Sequence, residues 1–227
     1  AEHLMKHKGG MGRLMGGVTG VAPAYILVLG GGVAGRNAAH IAAGMQARVT
    51  ILERDPDRIS DLRVEFSMYK ERVMIDLSSP ELIADLLPQV DGVIGAVLLP
   101  GAAAPRLVTK DQLKTMRQGS VLVDISIDQG GCFETSHATT HADPTYVVDG
   151  IVHYCVANMP GAVPLTSALA LNNAVLPYAL KLANKGWRAA LADDPGFLAG
   201  LNVADGQITH KAVAEAVDIP QILYNVP

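Results

Sequence analysis

The sequence predicts an α/β protein built on a doubly wound parallel sheet, and three observations support this. Short apolar runs alternate with amphipathic stretches over residues 25–126. The runs are apolar throughout instead of at every second residue, which is typical of strands with helices on both faces. A cluster of glycines at residues 30–35 separates the first apolar run from a helical stretch of small residues, as in sheets that bind a ligand at the first turn.

The predicted elements alternate between strand and helix, as expected for consecutive βαβ units. The predicted strands are Tyr25–Leu29, Arg48–Leu52, a short one at Val73–Ile75, Gly92–Val97 and Val121–Ser126. The predicted helices are Val33–Ala43, Asp57–Phe66, Pro80–Leu87 and one around Lys110–Met116. The glycine-rich opening, residues 1–24, is predicted to be a connecting loop.

The sequence changes character near residue 157, where we place a domain boundary. Leu165–Lys185 has a helical composition, and we expect Pro177 to interrupt it and Gly186 to end it. Only short helical and turn signals follow Asp193. The predicted division is a sheet domain with its N-terminal connecting segment at residues 1–157 and a helical part at residues 158–227. The second part is short for an independent domain, so we expect it to pack against another part of the protein.

Composition excludes several classes of function. The formal net charge is −4 and Lys and Arg form no tract, which argues against nucleic acid as a partner. The longest apolar stretch, residues 93–105, is too short to cross a bilayer and contains proline, so no membrane span is expected. Two cysteines make no disulfide framework. With no signal peptide visible, we expect a cytoplasmic protein.

The glycine cluster contains the pattern G-x-G-x-x-G at Gly30, Gly32 and Gly35, typical of Rossmann-type dinucleotide sites. The first glycine permits a tight turn, the second lets a pyrophosphate approach the backbone, and the third allows close packing of helix on strand. Glu53 ends the second predicted strand, where an acid can accept the ribose hydroxyls and repel a 2′-phosphate. The pattern therefore favours NAD over NADP, although Arg54 and Arg58 leave NADP open. The alternative is a purely structural turn beside a solvated Glu53.

Four further segments are more distinctive than composition or periodicity. They are LMGGV with GVAP (residues 14–18 and 20–23), VIGAVLLPG (93–101), IDQGGCFE (127–134) and YCVANMP (154–160). With these segments the sequence resembles the L-alanine dehydrogenases from residue 1 to about residue 220. The proton-translocating transhydrogenase alpha subunits are related and share the fold and the glycine loop. IDQGGCFE and YCVANMP together favour the dehydrogenases.

The resemblance implies where NAD would bind. Glu53 stands where the family usually has Asp, Arg58 and Ser78 match residues near the adenosine, and His137 stands where some relatives carry Arg. Val97 and Leu98 would line the cleft, while residues 125–128 and 156–159 would flank the nicotinamide. The full implied set is Gly30, Gly32, Val33, Ala34, Gly35, Glu53, Arg58, Ser78, Val97, Leu98, Ile125, Ser126, Ile127, Asp128, His137, Val156, Ala157, Asn158 and Met159.

Asp128 is the candidate catalytic residue. It follows the apolar run VLVDISI, at the strand end where open α/β sheets place their chemistry. A carboxylate there can orient the ammonia-derived nitrogen or a water molecule. The alternative from the residues alone is a cap before Gly130 and Gly131. Asn158 is expected to hydrogen-bond on the substrate side, with a simple turn asparagine as its alternative.

A metal site is not expected. Cys132, His137 and His141 are spaced as C-x4-H-x3-H, with Asp143 and His153 nearby, but no CxxC is present and zinc usually takes four well-spaced ligands. We interpret these side chains as polar loop residues near the cofactor. A nucleophile pair of Cys132 and His137 has no further support in the sequence.

The resemblance implies reversible, NAD-dependent oxidative deamination of L-alanine to pyruvate and ammonia by a homo-oligomer, hexameric in the family. Family members carry a further N-terminal segment that supplies an Arg and a Lys for the substrate carboxylate and a His as acid/base. Residues 158–227 resemble the helices that complete that substrate domain. We therefore expect this chain to supply the NAD-binding half and to be inactive or nearly so alone. The alternatives are an inactive NAD-binding or regulatory module and a transhydrogenase-like NAD(H) domain.

Overall fold

Strands and helices alternate through most of the computed structural model, which describes residues 1–6, 9–97, 104–218 and 220. The strands are β1 Tyr25–Leu29, β2 Arg48–Glu53, β3 Val73–Leu77, β4 Gly92–Gly95, β5 Val121–Asp124, β6 Thr145–Val148, β7 Ile151–Tyr154, β8 Val203–Ala204 and β9 Gln207–Ile208. The helices are α1 Glu2–Met5, α2 Val33–Gly44, α3 Pro56–Glu65, α4 Pro80–Leu86, α5 Lys110–Leu113, α6 Pro164–Lys185, α7 Trp187–Ala192, α8 Pro195–Leu198 and α9 Lys211–Val217. From β1 to β5 the alternation is the one that the sequence predicts, whereas α1 lies in the opening segment that the sequence predicts to be a connecting loop.

Seven strands form one sheet in the order β3-β2-β1-β4-β5-β7-β6. Every neighbouring pair is parallel except β6 and β7. The chain runs outward from β1 to β3 on one side and from β4 to β7 on the other, so the strand order reverses between β1 and β4. In open α/β sheets the crevice at such a switch point is where ligands bind. The predicted doubly wound, Rossmann-type parallel sheet is confirmed.

Both faces of the sheet are buried, which explains the continuous apolar strands. On β1, Ile26 and Val28 pack on one face with the small residues of α2, Ala39 among them. Leu27 and Leu29 point to the opposite face and pack with side chains of α4 and α5. Because successive strand residues alternate between faces, a strand covered on both sides needs apolar residues at every position.

Sequence reasoning missed the hairpin β6–β7, which completes the sheet. Its two strands are joined by Asp149 and Gly150, with φ angles of 49° and 79°. An Asp-Gly pair between two β-rich runs is a strong hairpin signal, because both turn residues need positive φ. Other elements differ from the prediction in length. β4 ends at Gly95, β5 at Asp124 and α5 at Leu113, before the predicted ends at Val97, Ser126 and Met116, while β3 extends past Ile75 to Leu77.

The chain divides into two compact units, and the second begins at Pro160. In the second unit α6 runs from Pro164 to Lys185 without a break, so the expected interruption at Pro177 is wrong. A proline removes one backbone donor, and a helix of 22 residues retains enough other hydrogen bonds to continue through it. Lys181 pairs with Asp194 at 2.7 Å, and the rings of Tyr178 and Phe197 lie 4.9 Å apart, which fixes α6 beside the start of α8. Within the described ranges, no helix is long and apolar enough to span a membrane.

Candidate functional site

The carboxyl ends of the parallel strands lie side by side along one edge of the sheet. In the spatial order of the strands, the segments that follow them begin at Ser78 after β3, at the end of β2 with Glu53, at Gly30 after β1, at Ala96 after β4, at Ile125 after β5 and at Cys155 after β7. Nearly every residue that the sequence assigns to NAD is on one of these six segments. Leu98 is the exception, since it lies outside the described residues.

The glycine loop crosses the switch point between β1 and β4 in a conformation that needs glycine. Gly30 has a φ of 97°, and a Cβ atom there would lie 2.7 Å from the Ala96 carbonyl oxygen. A Cβ atom on Gly35 would lie 1.9 Å from the Gly30 carbonyl oxygen, so only glycine lets α2 pack this closely on the loop. Both positions thus have the geometry expected of a dinucleotide-binding turn.

The start of α2 is open to a ligand. Gly32 is the N-cap residue and no side chain caps this end of the helix. A Cβ atom on Gly32 would meet nothing within 4 Å, and Val33 and Ala34 beside it are exposed. Free backbone N–H groups and the positive end of a 12-residue helix attract phosphate. The loop and helix therefore fit the pyrophosphate of a dinucleotide.

Glu53 lies directly against this loop. Its Oε2 accepts a hydrogen bond of 2.7 Å from the Gly31 N–H, and its Oε1 accepts one of 2.7 Å from the Arg54 N–H. Arg58 Nε donates to the Gly31 carbonyl oxygen at 3.0 Å, so Gly31 is hydrogen-bonded to both Glu53 and Arg58. Sequence reasoning placed a carboxylate here for a ribose, and the hydrogen bonds fix its position beside the glycine loop.

Along the edge of the sheet, Ser78 and Val97 lie on either side of Glu53 and the glycine loop. The Ser78 N–H donates to the Glu53 carbonyl oxygen at 2.8 Å, and Ser78 is half-buried next to the strand that carries the acid. The Val97 carbonyl oxygen accepts a hydrogen bond of 2.7 Å from the Ser126 hydroxyl. That bond ties the segment after β4 to the segment after β5, on the side of the edge assigned to the nicotinamide.

Asp128 lies in a short 3-10 helix, Ile125–Gln129, immediately after β5. It is exposed, and its side chain makes no hydrogen bond or ion pair with any described residue. The cap of this short helix is instead Asp124, whose carboxylate accepts from the Ser126 N–H at 3.1 Å. The capping alternative for Asp128 therefore finds no hydrogen bond to support it, while Ile125 is half-buried and Ser126 and Ile127 are buried.

Asp124 is the residue of this region that sequence reasoning missed. Its side chain is fully buried and accepts hydrogen bonds from the backbone N–H groups of Cys132 and Phe133, at 2.9 Å and 3.4 Å, and from the Ser136 hydroxyl. The available signal was an Asp inside the otherwise apolar run VLVDISI, because a buried carboxylate needs several donors.

The segment after β7 combines buried and exposed residues. Val156 is buried, Met159 is half-buried and Ala157 is exposed. Asn158 is exposed with a φ of 57°, and its carbonyl oxygen accepts from His141 Nε2 at 2.9 Å. Asn tolerates the left-handed conformation better than most residues, so this turn by itself accounts for an asparagine at the position. A hydrogen bond from Asn158 to substrate stays a prediction.

His137 belongs to a stack of three rings that joins the segment after β5 to the hairpin β6–β7. Its ring lies 3.6 Å from the Tyr146 ring, and Tyr146 stacks on His153 at 4.9 Å. His153 is fully buried between the Ile151 carbonyl oxygen and the Thr135 hydroxyl, and burial lowers the pKa of its imidazole. His137 is itself exposed, and its contact with a cofactor stays a prediction.

The two cysteines are buried free thiols. Burial, and then the neighbouring Asp124 carboxylate, raise the pKa of the Cys132 thiol. Burial likewise raises the pKa of the Cys155 thiol. Both shifts disfavour the thiolate, which is the nucleophilic form. Among the residues that the structure describes, no group of three or more His, Cys, Asp and Glu side chains is arranged to hold a metal ion.

Comparisons with known proteins agree with this geometry. A family model described as "Alanine dehydrogenase/PNT, C-terminal domain" matches residues 1–211. The alanine dehydrogenase of Halomonas elongata is 55% identical over 222 residues, which are 98% of this chain and 59% of that protein. The alanine dehydrogenase of Staphylococcus saprophyticus is 54% identical over 220 residues, 96% of this chain and 58% of that protein.

Solved structures give the same relationship. An L-alanine dehydrogenase superposes with a TM-score of 0.85 at 46% identity, covering 96% of this chain and 59% of the other. A transhydrogenase from Sinorhizobium meliloti has a TM-score of 0.57 at 30% identity, covering 66% of this chain and 41% of the other. The chain thus spans 58–59% of the alanine dehydrogenases and 41% of the transhydrogenase. Because the family model and the alanine dehydrogenases match nearly all of it, the chain belongs to the alanine dehydrogenase/PNT C-terminal domain family.

Proposed function

We propose that this chain binds NAD along the carboxyl edge of its sheet and provides the cofactor-binding half of an L-alanine dehydrogenase. That enzyme would interconvert L-alanine with pyruvate and ammonia. Membership of the family implies NAD as the cofactor. The observation that carries the proposal is the uncapped start of α2, open at Gly32 and next to a fixed carboxylate, at the switch point of a parallel sheet.

Each part of the edge has a role in this proposal. The N–H groups at the start of α2 bind the pyrophosphate, and Glu53 accepts hydrogen bonds from the adenosine ribose. Ser78 and Arg58 flank the adenosine, while Val97, residues 125–128 and residues 156–159 form the walls on the nicotinamide side. When bound, NAD supplies the hydride acceptor for oxidation of the substrate. Asp128, exposed and without a partner among the described residues, orients the reacting nitrogen or a water molecule.

Two alternatives belong to other classes. An NAD-binding module without turnover fits the same edge geometry, because the substrate-binding groups implied by the resemblance have no counterpart assigned in this chain. A transhydrogenase-like NAD(H) domain is less well supported, since the transhydrogenase match has lower identity and covers less of the chain than the dehydrogenase matches. Homo-oligomeric assembly, hexameric by resemblance, is part of the main proposal.

The test is calorimetric titration with NADH of the unmodified chain and of two glycine variants. Gly32→Ala adds a methyl group where the pyrophosphate must approach, so we expect affinity to fall about tenfold or more. Gly44→Ala is the matched control, because it lies at the far end of the same helix and its Cβ also meets nothing within 4 Å. These glycines give a cleaner comparison than Glu53→Ala, which also removes the acceptor for the Gly31 N–H.

The two variants should unfold at nearly the temperature of the unmodified chain, so a loss of affinity confined to Gly32→Ala reports on the ligand site. Failure of the unmodified chain to bind NADH, or equal affinity in all three proteins, would contradict the proposal. Turnover is a separate question. We propose that the 227-residue chain alone binds NADH yet oxidises alanine at a small fraction of a full-length relative's rate. A rate near that of the relative would refute this part.

A further inference from the structure

Asp124 is a fully buried carboxylate at the end of β5 that the proposed function does not use. Its Oδ1 accepts from the Ser126 N–H at 3.1 Å and lies 3.5 Å from the Cys132 thiol. Its Oδ2 accepts from the Cys132 and Phe133 N–H groups and from the Ser136 hydroxyl. It forms no ion pair within the part of the chain that the structure describes.

Burying a charge without a counter-ion is costly, so the donors around Asp124 must offset a large desolvation penalty. All of these donors belong to one segment, residues 126–136. The carboxylate therefore fixes that segment at both ends: next to the strand through Ser126, and again through Cys132, Phe133 and Ser136 where the chain returns. Between these anchors lie Ile127 and the exposed Asp128.

The anchored segment also contacts the neighbouring strand end. The Ser126 hydroxyl donates to the Val97 carbonyl oxygen at 2.7 Å, while the Ala104 N–H donates to the Gln129 carbonyl oxygen at 2.9 Å. The position of the nicotinamide-side wall thus depends on a loop whose internal acceptor is Asp124. The adenosine side has its own support, from Glu53 and Arg58 on the glycine loop.

We propose that Asp124 is the positioning residue for the nicotinamide side of the site: its buried carboxylate holds the loop that presents Asp128. This inference rests on the proposed NAD-binding function. It requires Asp124 to act locally, on one half of the cofactor site, and not through the general stability of the sheet.

Asp91 provides a matched control for that distinction. It is 1% exposed, precedes β4 at the opposite edge of the same sheet, and accepts from the Tyr25 N–H at 2.8 Å. Arg13 and Arg117 pair with it at 2.8 Å and 3.2 Å. Removing its charge therefore perturbs a buried carboxylate of the same sheet, far from the nicotinamide side.

The experiment compares NADH with ADP-ribose, which lacks the nicotinamide, by titration of the unmodified chain, Asp124→Asn and Asp91→Asn. An amide nitrogen cannot accept, so Asp124→Asn leaves at least one donor unpaired in either orientation. We expect the dissociation constant for NADH to rise about tenfold and that for ADP-ribose to change less than about twofold. Asp91→Asn should lower the unfolding temperature, and any change in its dissociation constants should be the same for NADH and for ADP-ribose.

Equal losses of affinity for NADH and ADP-ribose in Asp124→Asn, or no loss of affinity for either ligand, would overturn the inference. Neither outcome would contradict the proposal that the chain binds NAD. Failure of the unmodified chain to bind either ligand would overturn the proposed function and this inference with it. Ser136→Ala removes one donor and keeps the carboxylate, so it serves if Asp124→Asn does not fold. Ser136→Ala should weaken the binding of NADH by about two- to threefold and leave the binding of ADP-ribose unchanged. An equal effect on both affinities would again count against the inference.

Discussion

The Glu53 side chain is held in place by hydrogen bonds at both of its carboxylate oxygens. Oε2 accepts a hydrogen bond from the Gly31 N–H, and Oε1 accepts hydrogen bonds from the Arg54 and Asp55 N–H groups. The carboxylate is therefore fixed before any ligand arrives, which reduces the entropy lost on binding. In this arrangement the Glu53 side chain hydrogen-bonds the glycine loop itself.

The charge of Glu53 should decide between the two nicotinamide cofactors. We expect Glu53→Gln to shift the ratio of NADPH to NADH affinity about tenfold towards NADPH, because a neutral amide no longer repels a 2′-phosphate. Arg54 and Arg58 are close enough in sequence to favour that phosphate. Paired titrations with NADH and NADPH measure the ratio. Glu81→Gln, on the exposed first turn of α4, is the control, and an unchanged ratio in Glu53→Gln would contradict the prediction.

Single residues differ in how far the sequence alone predicts them. Gly30, Gly35 and Glu53 are predictable because their spacing follows from one strand, one turn and one helix that are contiguous in the chain. Asp124 is not, since its donors at Cys132 and Ser136 come from a segment that leaves the strand and folds back. Its role depends on a tertiary arrangement that no local pattern encodes.

The hairpin β6–β7 is an element whose place in the sheet likewise depends on residues distant in the chain. It adds an antiparallel pair to a parallel sheet, and its partner β5 lies more than 25 residues earlier in the chain. Local alternation is weak because Ile151, Val152 and His153 are all buried. The Asp-Gly turn was the usable signal, whereas the sheet order that places β7 beside β5 could be expected only from the doubly wound fold.

Within this hairpin, His153 should make the fold sensitive to acid. Its imidazole contacts Thr135 and Ile151, stacks on Tyr146 and lies within the electrostatic influence of His137 and Asp124. Because burial lowers its pKa in the folded chain, only the unfolded chain gains the proton as pH falls below about 6.5. Stability is therefore unaffected by His153 above that pH and declines below it.

We expect the free energy of unfolding to fall between about pH 7.5 and pH 5.5, and to fall less in His153→Gln than in the unmodified chain. Gln keeps one donor and one acceptor and does not titrate. Urea unfolding at the two pH values measures the difference. His141→Gln, which removes an exposed imidazole, is the control. Equal acid sensitivity in the unmodified chain and in His153→Gln would count against this account.

The helix α6 contains its own destabilising residue. Pro177 lies in its interior and is exposed, so substitution there changes helix propensity with little loss of packing. We expect Pro177→Ala to raise the free energy of unfolding by about 1–3 kcal/mol, measured by urea unfolding followed through helical circular dichroism. Pro164→Ala should change it by less than about 0.5 kcal/mol, because proline is well tolerated at the first helical position. Equal effects at the two prolines would contradict the prediction.

For the molecule as a whole, the surface of α6 departs from that of a typical monomer. Eight large apolar side chains of this helix are exposed: Leu165, Leu169, Leu171, Val175, Leu176, Tyr178, Leu180 and Leu182. None of its 22 residues is buried, and residues 164–180 include no Asp, Glu, Lys or Arg. An apolar helix that is exposed all round is unusual in a stable monomer, because such helices are ordinarily buried.

We therefore expect the chain to self-associate in a concentration-dependent way through α6. Leu169 and Leu180 lie three turns apart on one face and are 57% and 51% exposed, so Leu169→Glu with Leu180→Glu should shift the population towards monomer in sedimentation velocity. The control is Val64→Glu with Met68→Glu, which charges two side chains that are 76% and 74% exposed in the sheet unit. Because this prediction concerns only the second unit, NADH affinity should be the same in both double variants. If both variants leave the association unchanged, it does not depend on these α6 side chains; if both abolish it, the effect of charge is not specific to α6, and either outcome contradicts the prediction.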